Sequence, residues 1–299
     1  MAPLVGAVEG GGTKFVCAVG TDADSILRRT VVATGDPVST LAGVARFLAE
    51  SERLHGPLSA LGVACFGPIE LRAAEASYGR LLGTPKAGWS GVDILQPLIA
   101  GRRVRVALDT DVAAAALAEL RLGAGRSVQS LAYVTVGTGI GVGFAPDPLR
   151  SLRFFHPEGG HIPVRRAAGD EAFAGVCPYH GDCLEGLASG PAIAARWGVE
   201  LSALPADHPG LGIIGFYLGQ LAAFIALLTG VERIVFGGGV MQAGSLLARA
   251  RIAASTCLGG YLPALSSDPA LERLMVAPGL ADDSGLKGAF LLALDSPAA

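Results

Sequence analysis

The sequence predicts an α/β protein of two similar domains with a cleft between them. A unit of strand, glycine turn and strand occurs at residues 5–19 and again at residues 131–145. Alternating helical and strand-like segments accompany these units, which is typical of open α/β sheets. We place the N-terminal domain at 1–115 and the C-terminal domain at 116–299.

Composition predicts a folded chain with a large core. The 299 residues are 51% hydrophobic and 16% charged, which excludes disorder. The 43 glycines are about twice the usual share, but they follow no Gly-X-Y period, which excludes collagen. A net charge of −3 offers no basic surface to nucleic acid or to an anionic membrane.

The first domain opens on a predicted hairpin, because two short apolar runs flank Gly10-Gly11-Gly12. Its alanine-rich segment predicts a helix, since alanine has the highest helix propensity. The predicted elements are strands at 5–8 and 15–19, a helix at 41–53, strands at 60–65 and 104–108, and a helix at 112–122.

The second domain opens in the same way, with Gly137-Thr138-Gly139-Ile140-Gly141 between two strands. A third strand ends at Gly237-Gly238-Gly239, and a helix follows it. The predicted elements are strands at 131–136, 142–145 and 234–236 and a helix at 243–254. A C-terminal helix at 284–296 is expected to pack back on the first domain.

Residues 211–231 carry no charge, and this length matches the ~20 residues that span a bilayer. Gly215 and Gly219 have the small-xxx-small spacing of membrane helices. The segment also contains Tyr217 and Gln220, however, and no cluster of Lys or Arg flanks it. We interpret it as a buried core or dimer-interface helix and expect no membrane partner.

Five cysteines in a chain of this length do not predict a disulfide framework. Only Cys177 and Cys183 are close in sequence, which points to a metal rather than a bridge. The N-terminus has no secretory hydrophobic region, so we expect a cytoplasmic protein.

The glycine turns predict phosphate binding, because free amides in such turns bind anions and no side chain blocks the approach. A P-loop is excluded, since a strand and not a helix follows Lys14. The dinucleotide fingerprint fails as well, because Val142 stands in place of its last glycine. Ordinary tight β-turns are the alternative. The presence of three such junctions favours the binding of a nucleotide phosphate. Gly11, Gly12 and Thr13 would be its donors, near Lys14.

Cys177, His180 and Cys183 predict a structural zinc site. Their Cys-x2-His-x2-Cys spacing places three ligands on one short loop, and His161 or His156 could complete a tetrahedron. Two buried free cysteines or a redox pair are the alternatives.

Glu158 and Glu185 lie close in sequence to the proposed ligands. A carboxylate in such a place orients a metal-bound histidine, and beside a cleft it can also bind sugar hydroxyls. The residues alone leave both roles open.

Asp109-Thr110-Asp111 follows an apolar strand, at the end where open α/β sheets bind ligands. Asp111 directly precedes the predicted helix, and one role for it is the N-cap. A second role is a general base that accepts a hydroxyl proton during phosphoryl transfer. Capping uses one carboxylate oxygen, so the two roles are compatible.

Together these motifs resemble those of the ROK family of sugar kinases (repressors, open reading frames, kinases), over nearly the whole chain. The shared motifs are Glu9-Gly-Gly-Gly-Thr-Lys14, Val136-Gly-Thr-Gly-Ile-Gly141, Glu158-Gly-Gly-His161 and Cys177…Cys183-Leu-Glu185. The bacterial fructokinase branch is the most similar, through Gly62-Val-Ala-Cys-Phe-Gly-Pro68, Thr84-Pro-Lys86, Asp109-Thr-Asp-Val112, the Cys-Pro-Tyr-His-Gly-x-Cys loop and Leu187-Ala-Ser-Gly-Pro191.

The resemblance implies an actin-like, ribonuclease H-like ATPase fold with ATP and Mg²⁺ in the cleft and a zinc-binding loop. It implies that Asp111 is the catalytic base and that Glu158, His161 and Glu185 bind the sugar. The implied zinc ligands are His161, Cys177, His180 and Cys183. The residues implied for the nucleotide are Gly11, Gly12, Thr13, Lys14, Gly137, Thr138, Gly139, Pro191, Gly237, Gly238, Gly239 and Met241.

Three positions depart from the family pattern. Ala113 stands where Asn is usual, Thr110 where glucokinase relatives have Asn, and Val142 where glycine is frequent. These changes concern the positioning of the sugar and the rate rather than the base. The resemblance therefore implies an ATP-dependent fructokinase acting on the 6-hydroxyl, with mannose, glucose or an aminosugar as alternative substrates.

A non-catalytic sugar-binding sensor is the rival from another class, and the intact Asp111 and Lys14 argue against it. Repressor members carry an N-terminal DNA-binding extension, whereas the first strand here starts near Leu4 and the net charge is negative. We therefore expect no nucleic-acid partner. The apolar segment at 211–231 and the family favour a homodimer.

Overall fold

A computed structural model describes residues 3–147 and 155–296. The chain divides into two compact units, each built around its own sheet. The first comprises the described residues of Met1–Ala118, Asp147–His156 and Asp283–Ala299, and the second those of Glu119–Pro146 and Pro157–Asp282.

Strands and helices alternate along both units. Within the described residues the strands are β1 (Val5–Gly10), β2 (Lys14–Gly20), β3 (Ile26–Ala33), β4 (Ala60–Cys65), β5 (Arg105–Thr110), β6 (Leu131–Val136), β7 (Ile140–Ala145), β8 (Arg233–Gly237) and β9 (Met275–Val276). The α-helices are α1 (Pro37–His55), α2 (Gln96–Ile99), α3 (Asp111–Leu122), α4 (Leu184–Ala188), α5 (Gly190–Trp197), α6 (Pro209–Thr229), α7 (Leu246–Leu258), α8 (Asp268–Leu274) and α9 (Ser284–Asp295).

The first unit contains a five-stranded sheet in the order β3-β2-β1-β4-β5. β1 and β2 form the predicted antiparallel hairpin, whereas β1, β4 and β5 run parallel. Gly10 pairs with Cys65, and Cys65 pairs with Thr110, so the three parallel strands end in register. The glycine turn after β1 and the start of α3 after β5 therefore lie at the same edge of the sheet.

Helix α9 packs on β1 and β4. Gly62 in β4 makes this contact close, because a Cβ there would lie 1.8 Å from the carbonyl oxygen of Ala289. The C-terminal helix is thus part of the first unit.

The second unit contains a four-stranded sheet in the order β7-β6-β8-β9. β6 and β7 form an antiparallel hairpin, and β6, β8 and β9 run parallel. This sheet repeats the β2-β1-β4-β5 order of the first unit. Its core includes apolar residues of β6, β8, α6 and α7.

Helix α6 covers most of the uncharged segment. By length and apolar composition it is the one described helix that could cross a membrane, but 61% of its most apolar 18-residue stretch is buried inside the protein. A Cβ at Gly219 would lie 2.5 Å from the Cβ of Ala253, and one at Gly215 would lie 2.7 Å from the Cβ of Arg249. The two glycines therefore serve close packing against α7.

Several described elements differ from the sequence prediction, and β3 and α7 are two of them. The sequence does not predict β3, because Arg28, Arg29 and Thr30 interrupt its apolar run, and this edge strand exposes every second residue. Helix α7 begins at Leu246 and not at residue 243, because a 3-10 turn at Gly239–Gln242 precedes it.

A buried ion pair joins α5 and α6 to a loop of the second unit. The side chains of Asp170 and Arg196 are each 5% exposed, and the guanidinium donates to the two carboxylate oxygens at 2.8 and 2.7 Å. The Tyr217 hydroxyl donates to the same carboxylate at 2.6 Å. Burial alone would raise the pKa of Asp170, but the hydrogen bonds from Arg196 and Tyr217 hold it below its ordinary value.

We expect Asp170→Asn to lower the free energy of unfolding by about 3–5 kcal/mol, because it leaves the Arg196 guanidinium buried without a counter-charge. Urea denaturation followed by circular dichroism measures this. Asp24→Asn is the matched control, since Asp24 pairs with Lys287 but its side chain is 73% exposed. An exposed pair contributes about 0–1 kcal/mol, so equal losses in the two variants would contradict the role of the buried pair.

Candidate active site

The turn between β1 and β2 occupies its carbonyl groups and leaves amides for a ligand. Thr34 binds two of the carbonyls: its hydroxyl donates to Gly11 at 2.8 Å and its amide to Thr13 at 3.0 Å. The Lys86 ammonium donates to the Gly12 carbonyl at 2.5 Å. The amides of Gly12 and Thr13, by contrast, have no acceptor among the described residues. Two successive unpaired amides make this turn suited to bind an anion.

The turn between β6 and β7 has the same property. The Gly137 carbonyl accepts from the Gly190 amide at 2.7 Å, and the Gly139 carbonyl accepts from the Gly137 amide at 2.9 Å. The amides of Thr138 and Gly139 find no acceptor in the part of the chain that the structure describes. Gly190 begins α5, where Pro191 is exposed in the first turn, so this helix end lies against the turn.

The third glycine junction follows β8. A Cβ at Gly237 would lie 2.2 Å from the Tyr133 hydroxyl oxygen, and Gly238 has a φ of +91°, which favours glycine. A 3-10 turn follows and contains Gly239 and the half-buried Met241. Gly237 and Gly238 are thus explained by packing and backbone conformation before any ligand is considered.

Asp111 is the first residue of α3, directly after β5. Its carboxylate accepts from the Val112 amide at 2.9 Å, but the Thr110 hydroxyl accepts from the Ala113 amide at 3.2 Å. The side-chain cap of the helix is therefore Thr110, and the N-cap role considered for Asp111 is wrong. Burial raises the pKa of Asp111 to about 6, and the bond from Val112 offsets part of that rise.

Glu9 is a candidate functional residue to which the sequence analysis assigns no role. Burial and then the negative charge of Asp111 raise the pKa of Glu9 to about 7. A Cβ at Gly285 would lie 2.2 Å from Glu9 Oε1, so a larger residue there would force the Glu9 side chain to move. An acidic residue at the end of an otherwise apolar strand is the signal that could have found it.

His161, Cys177, His180 and Cys183 converge in the second unit, with ligand atoms within 4.8 Å of one another. The sulfur–Nδ1 distances are 3.5 Å for Cys183–His161, 3.6 Å for Cys177–His180 and 3.7 Å for Cys177–His161. Zinc bonds of ~2.3 Å to sulfur and ~2.0–2.1 Å to nitrogen at a tetrahedral angle would separate these atoms by about 3.6 Å. The donor set and its spacing therefore fit zinc.

Glycines allow the cluster to form. Cys177 and Gly181 exchange backbone hydrogen bonds of 3.1 and 2.9 Å, and Gly181 has a φ of +66°, which glycine adopts at low cost. The Gly159–His161 3-10 turn packs against β7, where a Cβ at Gly160 would lie 2.0 Å from the Ile140 carbonyl oxygen. Both turns therefore depend on the absence of a side chain.

Glu185 connects the cluster to the second glycine turn. Its Oε2 accepts from the Ile140 amide at 2.8 Å, and its Oε1 lies 3.8 Å from Nε2 of His161, the ring nitrogen that is not directed at the cysteines. A Cβ at Gly139 would lie 2.7 Å from Glu185 Oε2. Glu158 is half-buried, and its carbonyl accepts from the His161 amide at 3.0 Å. The two glutamates therefore both contact His161.

His156, the other candidate for the fourth ligand, does not belong to the cluster. It lies in the first unit, where its Nε2 accepts from the Ile69 amide at 3.1 Å. A Cβ at Gly67 would lie 2.8 Å from its ring. Of the two histidines, His161 is the one that lies among the cysteines.

A model of the ROK family matches residues 5–296. The chain belongs to the ROK family. A fructokinase of Zymomonas mobilis is 39% identical over 297 residues, covering 97% of this chain and 96% of that protein. A fructokinase of Pediococcus pentosaceus is 35% identical over 290 residues, covering 97% of each chain. The crystal structure of a ROK family glucokinase from Streptomyces griseus in complex with glucose and AMPPNP superposes with a TM-score of 0.73 at 23% identity, covering 97% of this chain and 99% of that one.

These similarities confirm the predicted ROK membership, the actin-like ATPase fold and an enzyme of the sugar-kinase type. In this ROK chain the family motifs lie on well-defined elements. The first motif spans the turn after β1, and the second spans the turn after β6. The third and fourth supply His161 and the cysteine loop.

Proposed function

We propose that this ROK-family enzyme is an ATP-dependent fructokinase that transfers the γ-phosphate of ATP to the 6-hydroxyl of D-fructose. The observation that carries the proposal is Asp111, at the end of β5. Its pKa of about 6 keeps the carboxylate ionised at neutral pH and makes it more basic than an ordinary aspartate. The relatives named fructokinases support the choice of sugar.

In the proposed reaction the 6-hydroxyl oxygen forms a bond to the γ-phosphorus. The bond from that phosphorus to the β–γ bridging oxygen breaks, and ADP leaves with the electron pair. The hydroxyl proton passes to the carboxylate of Asp111. The remaining rate enhancement comes from positioning and from electrostatic stabilisation of the transferring group.

Glu158, His161 and Glu185 are proposed to bind the sugar hydroxyls. A carboxylate accepts hydrogen bonds from hydroxyl groups, and a neutral imidazole can donate or accept. The bond from the Ile140 amide holds Glu185 in one orientation, which favours selection of a sugar by the arrangement of its hydroxyls.

The glycine turns are proposed to bind ATP. The unpaired amides at Gly12–Thr13 and Thr138–Gly139 would donate to phosphate oxygens, with Lys14 and the first residues Gly11 and Gly137 shaping the turns. Gly237–Met241 and Pro191 are proposed to contact the nucleoside.

Mg²⁺ is the cation that ATP brings to such a site. It prefers oxygen ligands, and the carboxylate of Glu9, near the end of β1 and just before the first glycine turn, would supply one. When bound, it neutralises negative charge on the phosphates. Zn²⁺ would have a structural role, because four protein ligands leave it no open position for a substrate.

A homodimer and a cytoplasmic location complete the proposal. Helix α6 exposes Phe224, Leu227 and Leu228 by 48%, 51% and 71% of their surface. An apolar patch of this kind is typical of surfaces that associate with another protein, and a second copy of the chain would cover it.

A coupled assay of ADP release with fructose, mannose, glucose and glucosamine tests the substrate. We expect kcat/KM for fructose to exceed that for the other hexoses by at least about tenfold, since a site that hydrogen-bonds a defined set of hydroxyls rejects sugars that leave its polar groups unpaired. A higher value for another hexose would replace fructose as the substrate. Sugar binding without ADP release from any hexose would instead support the sensor alternative.

A further inference from the structure

Lysine is rare in this chain and is concentrated at one turn. The 23 basic residues include only three lysines, at positions 14, 86 and 287. Lys14 directly follows the glycine turn after β1. Lys86 is distant in sequence, but its Nζ lies 2.5 Å from the Gly12 carbonyl oxygen in that turn. Two of the three lysines therefore belong to the first glycine turn.

The charge of Lys86 is not neutralised by a carboxylate. Its ammonium donates to the carbonyl oxygens of Gly12 and Thr34, at 2.5 and 3.2 Å, and both acceptors are uncharged. No acidic group of the described residues lies within salt-bridge distance of it. An ammonium has three donors. One donor and the full positive charge therefore remain for a ligand.

The loop that carries Lys86 is fixed in place. The fully buried Trp89 donates from its amide to the Lys86 carbonyl at 3.1 Å and from its indole to the Gly35 carbonyl at 3.0 Å. Its ring stacks on Phe15, with 5.7 Å between the centroids. The ammonium is thus positioned by packing that exists before any ligand binds, which lowers the entropic cost of binding.

The other groups of the turn are suited to the same kind of ligand. The amides of Gly12 and Thr13 have no acceptor in the described parts of the chain. A Cβ built on Gly12 would have no protein atom within 4 Å, so there is open space beside the turn. A positive charge, two amide donors and open space together fit a polyphosphate.

We propose that Lys86 is a positioning cation for the polyphosphate of the nucleotide: it holds the Gly12 carbonyl and adds its charge to the phosphate site. The proposal rests on the proposed role of this turn in binding ATP. A lysine suits the position because its compact ammonium reaches two carbonyl oxygens, whereas a planar guanidinium has a fixed fork geometry.

Isothermal titration with Mg-ATP and with adenosine tests the proposal. Lys86→Gln retains an N–H donor and removes the charge, and we expect it to raise the Kd for ATP about tenfold or more. The Kd for adenosine and the melting temperature of the free protein should not change. Lys86→Arg keeps the charge and should retain more ATP affinity than Lys86→Gln. Lys287→Gln is the matched control, because the Lys287 ammonium pairs with Asp24.

Gly12→Ala separates this proposal from the proposed function. A methyl group there meets no protein atom, so weaker ATP binding in that variant supports a ligand in the turn. Weak ATP binding by Gly12→Ala with normal binding by Lys86→Gln would overturn the role of Lys86 alone. Normal binding by both would overturn the role of the turn as well. Two other outcomes would contradict a charge that acts on phosphate. One is a loss of adenosine affinity in Lys86→Gln as large as the loss of ATP affinity. The other is an ATP affinity of Lys86→Arg no higher than that of Lys86→Gln.

Discussion

Asp111→Asn should lower kcat by about 10²–10⁴-fold, the contribution expected of a general base. The Asn side-chain oxygen can still accept from the Val112 amide, as the carboxylate does at 2.9 Å, but it cannot take up the hydroxyl proton. The Thr110 cap of α3 is untouched. Steady-state kinetics with saturating ATP and fructose, together with a thermal melt, measure the loss of turnover and the retention of the fold.

Asp22→Asn is the matched control for this experiment. The Asp22 carboxylate also accepts backbone amides, from Asp24 at 2.9 Å and Ser25 at 2.8 Å, and it lies in the same unit. Its substitution should leave kcat unchanged. Turnover by Asp111→Asn at a near-normal rate would remove Asp111 from the mechanism.

The pH dependence gives an independent test of the base. Burial raises the pKa of Asp111 from 3.8 to about 6, and only the ionised form can accept a proton. Wild-type kcat/KM should therefore be full above that pKa and fall about tenfold for each pH unit below it, because kcat/KM reports the pKa values of the free enzyme. The residual activity of Asp111→Asn should not show this decline. An inflection that persists in the variant would belong to another group. Glu9 is the first candidate, and its inflection should lie below its wild-type pKa of about 7, because the variant lacks the negative charge of Asp111.

The sequence predicts the local parts of this fold well. Both glycine hairpins, the buried helix α6 and the Cys/His cluster depend on patterns within about ten to twenty residues, where periodicity and spacing are informative. The Cys/His cluster is the clearest case, because Cys177, His180 and Cys183 occupy one loop. The residues alone leave His156 and His161 as alternatives, the family resemblance implies His161, and the structure places His161 among the cysteines.

Contacts between distant residues are not predictable in this way. Asp170 and Arg196 are 26 residues apart, and Asp170 and Tyr217 are 47 apart, so no short pattern connects them. The Glu119 carboxylate, which accepts from the amides of Ala124 and Gly279, is a buried charge in a helix that otherwise looks like an apolar alanine run. Each of these depends on the chain topology, which brings together residues that are far apart in sequence.

The site shows the same division. The residues that follow strand ends, such as Asp111 and the glycine turns, are predictable because strand ends are where α/β sheets bind ligands. The role of Lys86 is not predictable in this way. Lys86 lies in a loop, and the Gly12 carbonyl that it contacts is 74 residues away in sequence. Thr110 takes over the cap of α3 only because its hydroxyl lies near the Ala113 amide.

Cys177→Ser should remove the metal from the predicted zinc site. Elemental analysis of the wild-type protein should find about one zinc per chain, and the variant should contain much less, since a serine hydroxyl is a poor zinc ligand compared with a thiolate. A metal whose free concentration is about 1,000-fold above its Kd stabilises the folded state by about 4 kcal/mol. Loss of the metal should therefore lower the melting temperature of the variant by about 10 °C.

Loss of the metal should also lower catalytic efficiency, because Glu185 links the Cys/His cluster to the second glycine turn. This residue contacts both His161 of the cluster and the Ile140 amide of the second glycine turn, at 3.8 and 2.8 Å. Without the metal, His161 loses the partner that fixes its ring, and Glu185 loses one of the two contacts that orient it. We therefore expect kcat/KM for the sugar to fall more than the affinity for ATP.

Cys257→Ser is the control for the metal experiment, because Cys257 is an exposed free cysteine outside the cluster. It should keep the zinc, the melting temperature and the activity of the wild type. Dialysis of the wild-type protein against a chelator should reproduce the Cys177→Ser phenotype, and added zinc should reverse it in the wild type only. Full stability and activity in a wild-type protein shown to be free of zinc would mean that the two cysteines and two histidines pack together without a metal. The orientation of Glu185 would then depend on the Ile140 amide and on packing, and not on the cluster.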